Sequence, residues 1–154
     1  MTYVVFNTLH LVGVILLIGN VTVTFIWKLF ADRTREPPIV AFAQRLVIWN
    51  DWAFTALGAG LIIVSGYGMA ATTEMDLIAV DWLFWSQIWF YVAGLIWLLV
   101  LVPIQVLQAR QARDFAESGK IPSAYWRLTF HWNLWGVLAT VLLLAPLYLM
   151  VAKI

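Results

Sequence analysis

The sequence predicts an all-α membrane protein, a four-transmembrane-helix bundle with both termini on the outer side of the membrane. Three observations support this fold class: the composition, the length of the apolar stretches and the placement of the basic residues. Hydrophobic residues make up 64% of the 154-residue chain, charged residues make up 11%, and the mean hydropathy is +0.90. A soluble domain carries about 25% charged residues. The polar residues of this chain are too few to build a water-soluble surface.

Four apolar stretches each have the length of a membrane span. About 20 helical residues cross a hydrocarbon core of about 30 Å, and a helix satisfies its own backbone polar groups in lipid. We therefore predict a single transmembrane domain over residues 1–154, with spans at about residues 3–27, 52–71, 82–107 and 128–152.

The basic residues predict the orientation of these spans. Eight of the nine lysines and arginines lie between spans one and two or between spans three and four: Lys28, Arg33, Arg35, Arg45, Arg110, Arg113, Lys120 and Arg127. The middle connection, ATTEMDLIAVD, is acidic and contains no base. Because basic loops are retained in the cytoplasm, we expect both termini outside. No isolated basic patch is present to bind nucleic acid, and the absence of cysteine excludes thiolate metal sites.

The two basic connections contain signals for helix ends. Pro37 and Pro38 suit the start of a helix, so residues 39–50 form either an inner-surface helix or an extension of span two. Span three is expected to continue to about Glu117, where Ser118-Gly119 ends it. Pro103 and Pro146 lie inside spans three and four, where each removes a backbone donor and favours a kink.

Polar and small residues recur at helical spacing within each span, and such residues should face neighbouring helices rather than lipid. The predicted inward faces are His10, Gly13, Leu17, Asn20, Thr24 and Trp27 in span one; Asp51, Thr55, Gly58, Ile62, Ser65 and Met69 in span two; Gln87, Tyr91, Gly94, Leu98, Leu101 and Gln105 in span three; and His131, Trp135, Leu138, Leu142 and Ala145 in span four.

His10 is the strongest candidate for a ligand in these faces. A neutral imidazole can ligate haem iron, and Gly13, one turn away, could leave room for a porphyrin edge. Asn20 and Gln87 are expected to contact the same cofactor, haem b. The alternative is a structural histidine that forms a hydrogen bond with Ser65, Gln87 or another residue of the bundle.

His131 is a second candidate metal ligand, but we do not expect it to share an iron with His10. At 1.5 Å per residue the two positions differ in depth by roughly 20 Å. Lys28 and Arg127 lie in the same inner half as Asp51. These three residues are expected to form either an interfacial ion pair or a site that transfers protons or binds propionates.

Three segments resemble a family of small bacterial proteins with four spans, described as predicted integral membrane proteins of unknown function. The segments are LHLVGVILLIGN with KLFADR, NDWAFTALGAGLIIVSGYGMA, and WGVLATVLLLAPLYLMVAK. More distantly, the pattern is similar to HemJ-type protoporphyrinogen oxidases and to the membrane domain of copper-resistance D proteins. The resemblance implies a prokaryotic cytoplasmic membrane and haem b on His10. The sequence departs from HemJ early in span three, where Ser86 and Gln87 stand in place of a lysine.

Three functions follow as hypotheses. The first is a haem-b protein that transfers electrons, with quinone or a redox protein as its partner. The second is a protoporphyrinogen oxidase of the HemJ type, and the third is a non-enzymatic transporter or complex subunit. Any of these could act as a homo-oligomer in the lipid bilayer.

Overall fold

The computed structural model describes residues 1–153, and in this part of the chain it is helical without strands. Four helices are long and apolar enough to cross a membrane: α1 (Thr2–Thr34), α2 (Pro37–Thr72), α3 (Asp81–Ser118) and α4 (Ser123–Ala152). The predicted fold class and number of spans are confirmed. The side of the membrane on which the termini lie stays a prediction.

The helix ends follow the turn chemistry of the sequence. Pro37 begins α2, and residues 39–50 extend that helix rather than form a separate surface helix. The α3 helix ends at Ser118, one residue beyond the predicted position. Gly119 then adopts a left-handed φ of 70° and donates its backbone N–H to the carbonyl of Phe115 at 2.9 Å. This conformation has no steric cost for glycine because glycine lacks a Cβ atom.

The four helices pack as two antiparallel pairs, α1 with α2 and α3 with α4. We call the end that contains the two basic connections the basic end, and the end that contains the chain termini and residues 73–80 the terminal end. The pairs meet at the basic end, where residues 37–50 of α2 pack on residues 102–118 of α3. In the described chain, the backbones of residues 57–72 and 81–96 do not approach each other closely at the terminal end.

The connection at the terminal end is held by its own backbone. Asp76 accepts hydrogen bonds from the backbone N–H groups of Ile78 and Ala79, at 2.8 and 3.0 Å. These hydrogen bonds, of which the one from Ala79 has the larger effect and the one from Ile78 the smaller, hold the pKa of this exposed carboxyl below its ordinary value. Asp76 therefore stabilises the turn that leads into α3.

Each of the two middle helices contains one π-helical turn, Asp51–Ala56 in α2 and Trp97–Leu101 in α3. Pro103 lies just after the second turn and cannot donate to the carbonyl of Leu99 inside it. A π-turn accommodates this loss because its hydrogen bonds span five residues instead of four. Such turns are frequent at functional sites.

The second π-turn changes the face that α3 buries. Leu101 and Gln105 are buried as predicted and Gly94 faces the space between the helix pairs, but Tyr91 and Leu98 are exposed. The residues buried at the terminal end of α3 are Ser86 and Ala93. The predicted face is wrong there because steps of three and four residues assume a regular helix, and the π-turn adds a residue.

The predicted inward face of α4 is wrong by one position except at Trp135, which packs against the core cluster that contains Trp132 and Ala139. The predicted series His131, Leu138 and Ala145 is replaced by a buried series that consists of Trp132, Ala139 and Pro146. His131 is exposed on the outer face of the bundle, beside the ring of Phe130. An imidazole near the basic end can reach the lipid headgroups, as other amphipathic side chains do at a membrane interface.

Candidate functional site in the cavity between the helix pairs

A cavity of about 410 Å³ lies between the two helix pairs and is partly open at the surface of the bundle. All four helices contribute to its wall, which is mostly apolar. Its aromatic lining residues are Phe25, Phe90, Trp97 and Trp132. A volume of about 300–1,000 Å³ with apolar walls and a few polar groups is typical of small-molecule sites.

Among residues 1–153, Asp51 is the one acidic residue that lines this cavity, and it is 7% exposed. Three neutral donors converge on its carboxylate. Gln105 Nε2 and Trp97 Nε1 donate to Oδ2 at 2.6 and 3.2 Å, and Thr55 donates its hydroxyl to Oδ1 at 3.1 Å. Asp51 and Thr55 belong to the π-turn of α2, and Trp97 belongs to the π-turn of α3. Both irregular turns thus supply this site.

Asn20 extends the same network to α1, although it does not line the cavity. Its side-chain amide donates to Thr55 Oγ1 at 3.0 Å and to the backbone carbonyl of Asn50 at 3.3 Å. The hydroxyl of Thr24 donates to Asn20 Oδ1 at 3.1 Å. Asn20 was predicted as a cofactor contact, and its partners place it as a support of the Asp51 site.

The carboxylate of Asp51 has no cationic partner in residues 1–153. The single ion pair of the described chain joins Lys28 to Asp32. Neutral donors orient a carboxylate and stabilise its charge, but they do not neutralise it. A carboxylate buried among transmembrane helices without a cationic partner is costly, and it is therefore a candidate for a functional site.

Lys28 lies in a second buried cluster at the basic end. Its Nζ is fully buried and donates to both carboxylate oxygens of Asp32, at 2.6 and 2.7 Å, and to the hydroxyl of Tyr125 at 3.0 Å. The same hydroxyl donates to Gln44 Oε1 at 3.3 Å. Gln44 Nε2 in turn donates to the backbone carbonyl of Gln105, which links this cluster to the Asp51 network.

The structure does not bring Lys28 and Arg127 into one site. The ammonium of Lys28 is engaged by Asp32 and Tyr125, whereas Arg127 is exposed at the basic end. No hydrogen bond or ion pair joins the two side chains in residues 1–153. The spacing of four residues between Lys28 and Asp32 is the sequence signal that identifies this pair.

His10 is buried at the interface of α1 and α2, and its Nδ1 lies 3.2 Å from both the carbonyl of Ile62 and the hydroxyl of Ser65. Ser65 was one of the partners predicted for a structural histidine. A carbonyl can only accept, and the Ser65 hydroxyl donates to the carbonyl of Leu61. Nδ1 therefore carries the proton in a neutral imidazole, and the lone pair lies on Nε2.

The space beside His10 is small. A cavity of about 40 Å³ adjoins the ring, with Phe90, Pro146 and Met150 in its wall. The space expected at Gly13 is filled, because a Cβ atom there would lie 2.9 Å from the carbonyl oxygen of Gly58. The prediction that Gly13 leaves a gap for a porphyrin edge is wrong, since the α2 backbone occupies that position.

Gln87 lies at the terminal end and does not meet His10 in a hydrogen bond. Its amide nitrogen donates to the backbone carbonyls of Leu77 and Leu83, and its Oε1 accepts from the hydroxyl of Tyr67. Tyr67 also lies 2.9 Å from the hydroxyl of Tyr91. These contacts join α2 to α3 across the gap between the helix pairs.

Sequence reasoning missed part of the cavity wall. Trp132 is 6% exposed and lines the cavity, although the inward face predicted for span four did not include it. Its indole nitrogen is buried without a hydrogen-bond partner in residues 1–153. Phe25 stacks on it, with ring centroids 6.5 Å apart. No signal in the sequence separates such tryptophans from those of an interfacial belt.

No group of three or more histidine or acidic side chains lies close enough to hold a metal ion in residues 1–153. His10 is buried near the terminal end, while His131 is exposed on α4. The two histidines therefore do not form a common centre.

These features define a multi-pass integral membrane protein with an internal cavity. The chain belongs to the family described as predicted integral membrane protein (DUF2269), whose model matches residues 4–154. No curated protein and no solved structure matches the chain. The similarity to HemJ-type oxidases and copper-resistance D proteins, which the motifs suggested, is thus not shown by these comparisons.

Proposed function

We propose that this protein binds a lipid-soluble small molecule in the cavity between its helix pairs. The observation that carries the proposal is the carboxylate of Asp51, held by three donors in the wall of an otherwise apolar cavity of about 410 Å³. Burial of a carboxylate is unfavourable when no opposite charge balances it, and the three donors to Asp51 are neutral. A ligand with an apolar body and a polar head suits both parts of this wall.

The shape of the bundle supports entry from the bilayer. The cavity is partly open, and the helix pairs are not tightly packed against each other at the terminal end. A molecule dissolved in the acyl chains can reach such a site without crossing water. The quinone that the sequence suggested as a partner belongs to this class of ligand.

Gly136 provides a direct test. It lines the cavity, and a Cβ atom there would meet nothing within 4 Å, so Gly136→Leu should fill the cavity without a clash. Gly19→Leu is the matched control, because Gly19 is exposed on α1 and also has free space around its Cβ position. Both substitutions improve helix propensity.

The measurement is native mass spectrometry of the purified protein, titrated separately with a neutral probe, decylubiquinone, and a cationic probe, tetraphenylphosphonium. We expect at least one probe to bind saturably, with one molecule per chain. Gly136→Leu should weaken this binding by at least about tenfold, or about 1.4 kcal/mol, and Gly19→Leu should leave it unchanged. Absence of saturable binding for both probes, or equal losses in the two variants, would refute the proposal.

Ligation of haem b by His10 is a second proposal, with an electron-transfer role. It is supported by the hydrogen bond that fixes Nδ1, since metal-ligating histidines commonly donate their other nitrogen to a carbonyl. The adjoining cavity of about 40 Å³ does not accommodate a porphyrin in this conformation. The proposal therefore requires α1 and α4 to separate when haem binds.

The absorption spectrum tests this second proposal. Protein purified from haem-replete cells should show a Soret band that His10→Ala removes and that His131→Ala retains. A colourless preparation would contradict haem binding and would leave the first proposal unaffected.

A further inference from the structure

We propose that the ligand of the cavity carries a positive charge on an apolar body, as a hydrophobic amine or quaternary ammonium does. This inference rests on the proposed function, because it names the chemical class of the ligand in the same cavity. It is based on two features of the wall: the carboxylate of Asp51, which has no cationic partner among residues 1–153, and the aromatic rings that line the same cavity.

The two carboxylates buried within the bundle differ in one respect. Asp32 has an internal cation, Lys28, with both of its oxygens bound to Nζ. Asp51 is buried to the same extent, 7% exposed in each case, but it faces the cavity and receives only neutral donors. Asp51 is adjoined by cavity space, whereas Asp32 is adjoined by the ammonium of Lys28. A cationic ligand in that space would balance the charge.

The aromatic wall suits the same ligand. Phe25, Phe90, Trp97 and Trp132 line the cavity, and the faces of such rings attract cations, most strongly when water is absent. A neutral ligand would also gain from contact with these rings, but it would leave the carboxylate unbalanced. An anion would be repelled by Asp51, because no basic residue lines the cavity in the described chain.

Two probes of similar shape separate charge from hydrophobicity. Tetraphenylphosphonium is a cation with an apolar body, and triphenylphosphine oxide is a neutral counterpart. We would measure the affinity of each probe for the purified full chain by isothermal titration calorimetry. We expect the cation to bind at least about tenfold more tightly than the neutral probe, because only the cation pairs with the buried carboxylate.

The variant Asp51→Asn keeps the shape of the side chain and removes its charge. It should weaken the binding of tetraphenylphosphonium by about tenfold to a hundredfold. It should change the affinity for triphenylphosphine oxide by less than about threefold. Asp114→Asn is the matched control, since it removes an exposed carboxylate from the basic end and should leave both affinities unchanged.

Phe90→Leu tests the inference a second way and leaves the Asp51 network intact. It removes one ring of the wall, so tetraphenylphosphonium should lose about threefold more affinity than the neutral probe. Equal affinities of the two probes in the wild type, or equal losses of both probes in Asp51→Asn and in Phe90→Leu, would overturn the inference and leave the proposed function standing. Failure of both probes to bind would overturn the inference, and the proposed function would then stand or fall on the decylubiquinone titration.

Discussion

The contact between Gly13 of α1 and Gly58 of α2 sets the distance between these helices, and Gly13→Ala tests it. A Cβ atom on Gly13 would lie 2.9 Å from the carbonyl oxygen of Gly58 and 3.0 Å from the backbone nitrogen of Ile62. Both atoms belong to a helix backbone, which cannot rotate away as a side chain can. The new methyl group must therefore push the two helices apart.

The expected cost follows from two opposing effects. Overpacking by a methyl group costs about 1–3 kcal/mol, whereas replacing glycine with alanine inside a helix stabilises it by up to about 1 kcal/mol. Gly19→Ala, on the same helix, should show only the second effect because its Cβ position is free of contacts within 4 Å. Gly13→Ala should therefore be less stable than Gly19→Ala by about 1–3 kcal/mol.

The assay is equilibrium unfolding of both variants in mixed micelles with increasing sodium dodecyl sulfate, monitored by far-UV circular dichroism. If Gly13→Ala proves as stable as Gly19→Ala, the close approach of α1 and α2 is refuted. That result would restore the gap beside Gly13 that the sequence suggested.

Three further predictions concern the buried ion pair, the histidine contact and the topology. Asp32→Asn should destabilise the protein by about 3–5 kcal/mol because it leaves Lys28 buried and unpaired. The double variant Lys28→Met/Asp32→Leu should cost less, and the same unfolding assay compares the two variants. Ser65→Ala should cost only about 0.5–1.5 kcal/mol, since His10 still donates a hydrogen bond to the carbonyl of Ile62. A larger loss of stability would count against this pattern of hydrogen bonds. Since the chain has no cysteine, single variants report topology cleanly: Met75→Cys should react with an impermeant maleimide in intact cells and Glu36→Cys only after lysis, and the reverse pattern would invert the orientation.

The fold could be predicted from the sequence because its signals are spread over the whole chain. Each span needs only about 20 apolar residues, and a few substitutions do not change that length. The inward faces of α1 and α2 were also predictable at His10, Leu17, Thr55 and Ser65, which are all buried. At these positions the polar residues recur at regular helical spacing.

The cavity could not be predicted, because its walls depend on irregular local structure. The π-turn at Trp97–Leu101 changes the register of α3, so Ala93 lines the cavity beside the predicted Gly94, while the predicted Leu98 is exposed. On α4, His131 was assumed to face inward because it is polar, although the buried position is Trp132. The separation of the helix pairs at the terminal end has no local sequence signal at all.

The most direct test of the central claim, a ligand cavity between the helix pairs, is NMR spectroscopy of the indole N–H groups. The chain has ten tryptophans, and Trp97→Phe and Trp132→Phe assign the two signals from the cavity wall. On titration with tetraphenylphosphonium, we predict saturable shifts of both signals at one probe per chain, little change at the exposed Trp49, and no such shifts in Gly136→Leu. Shifts that do not saturate, or that persist in Gly136→Leu, would contradict the account.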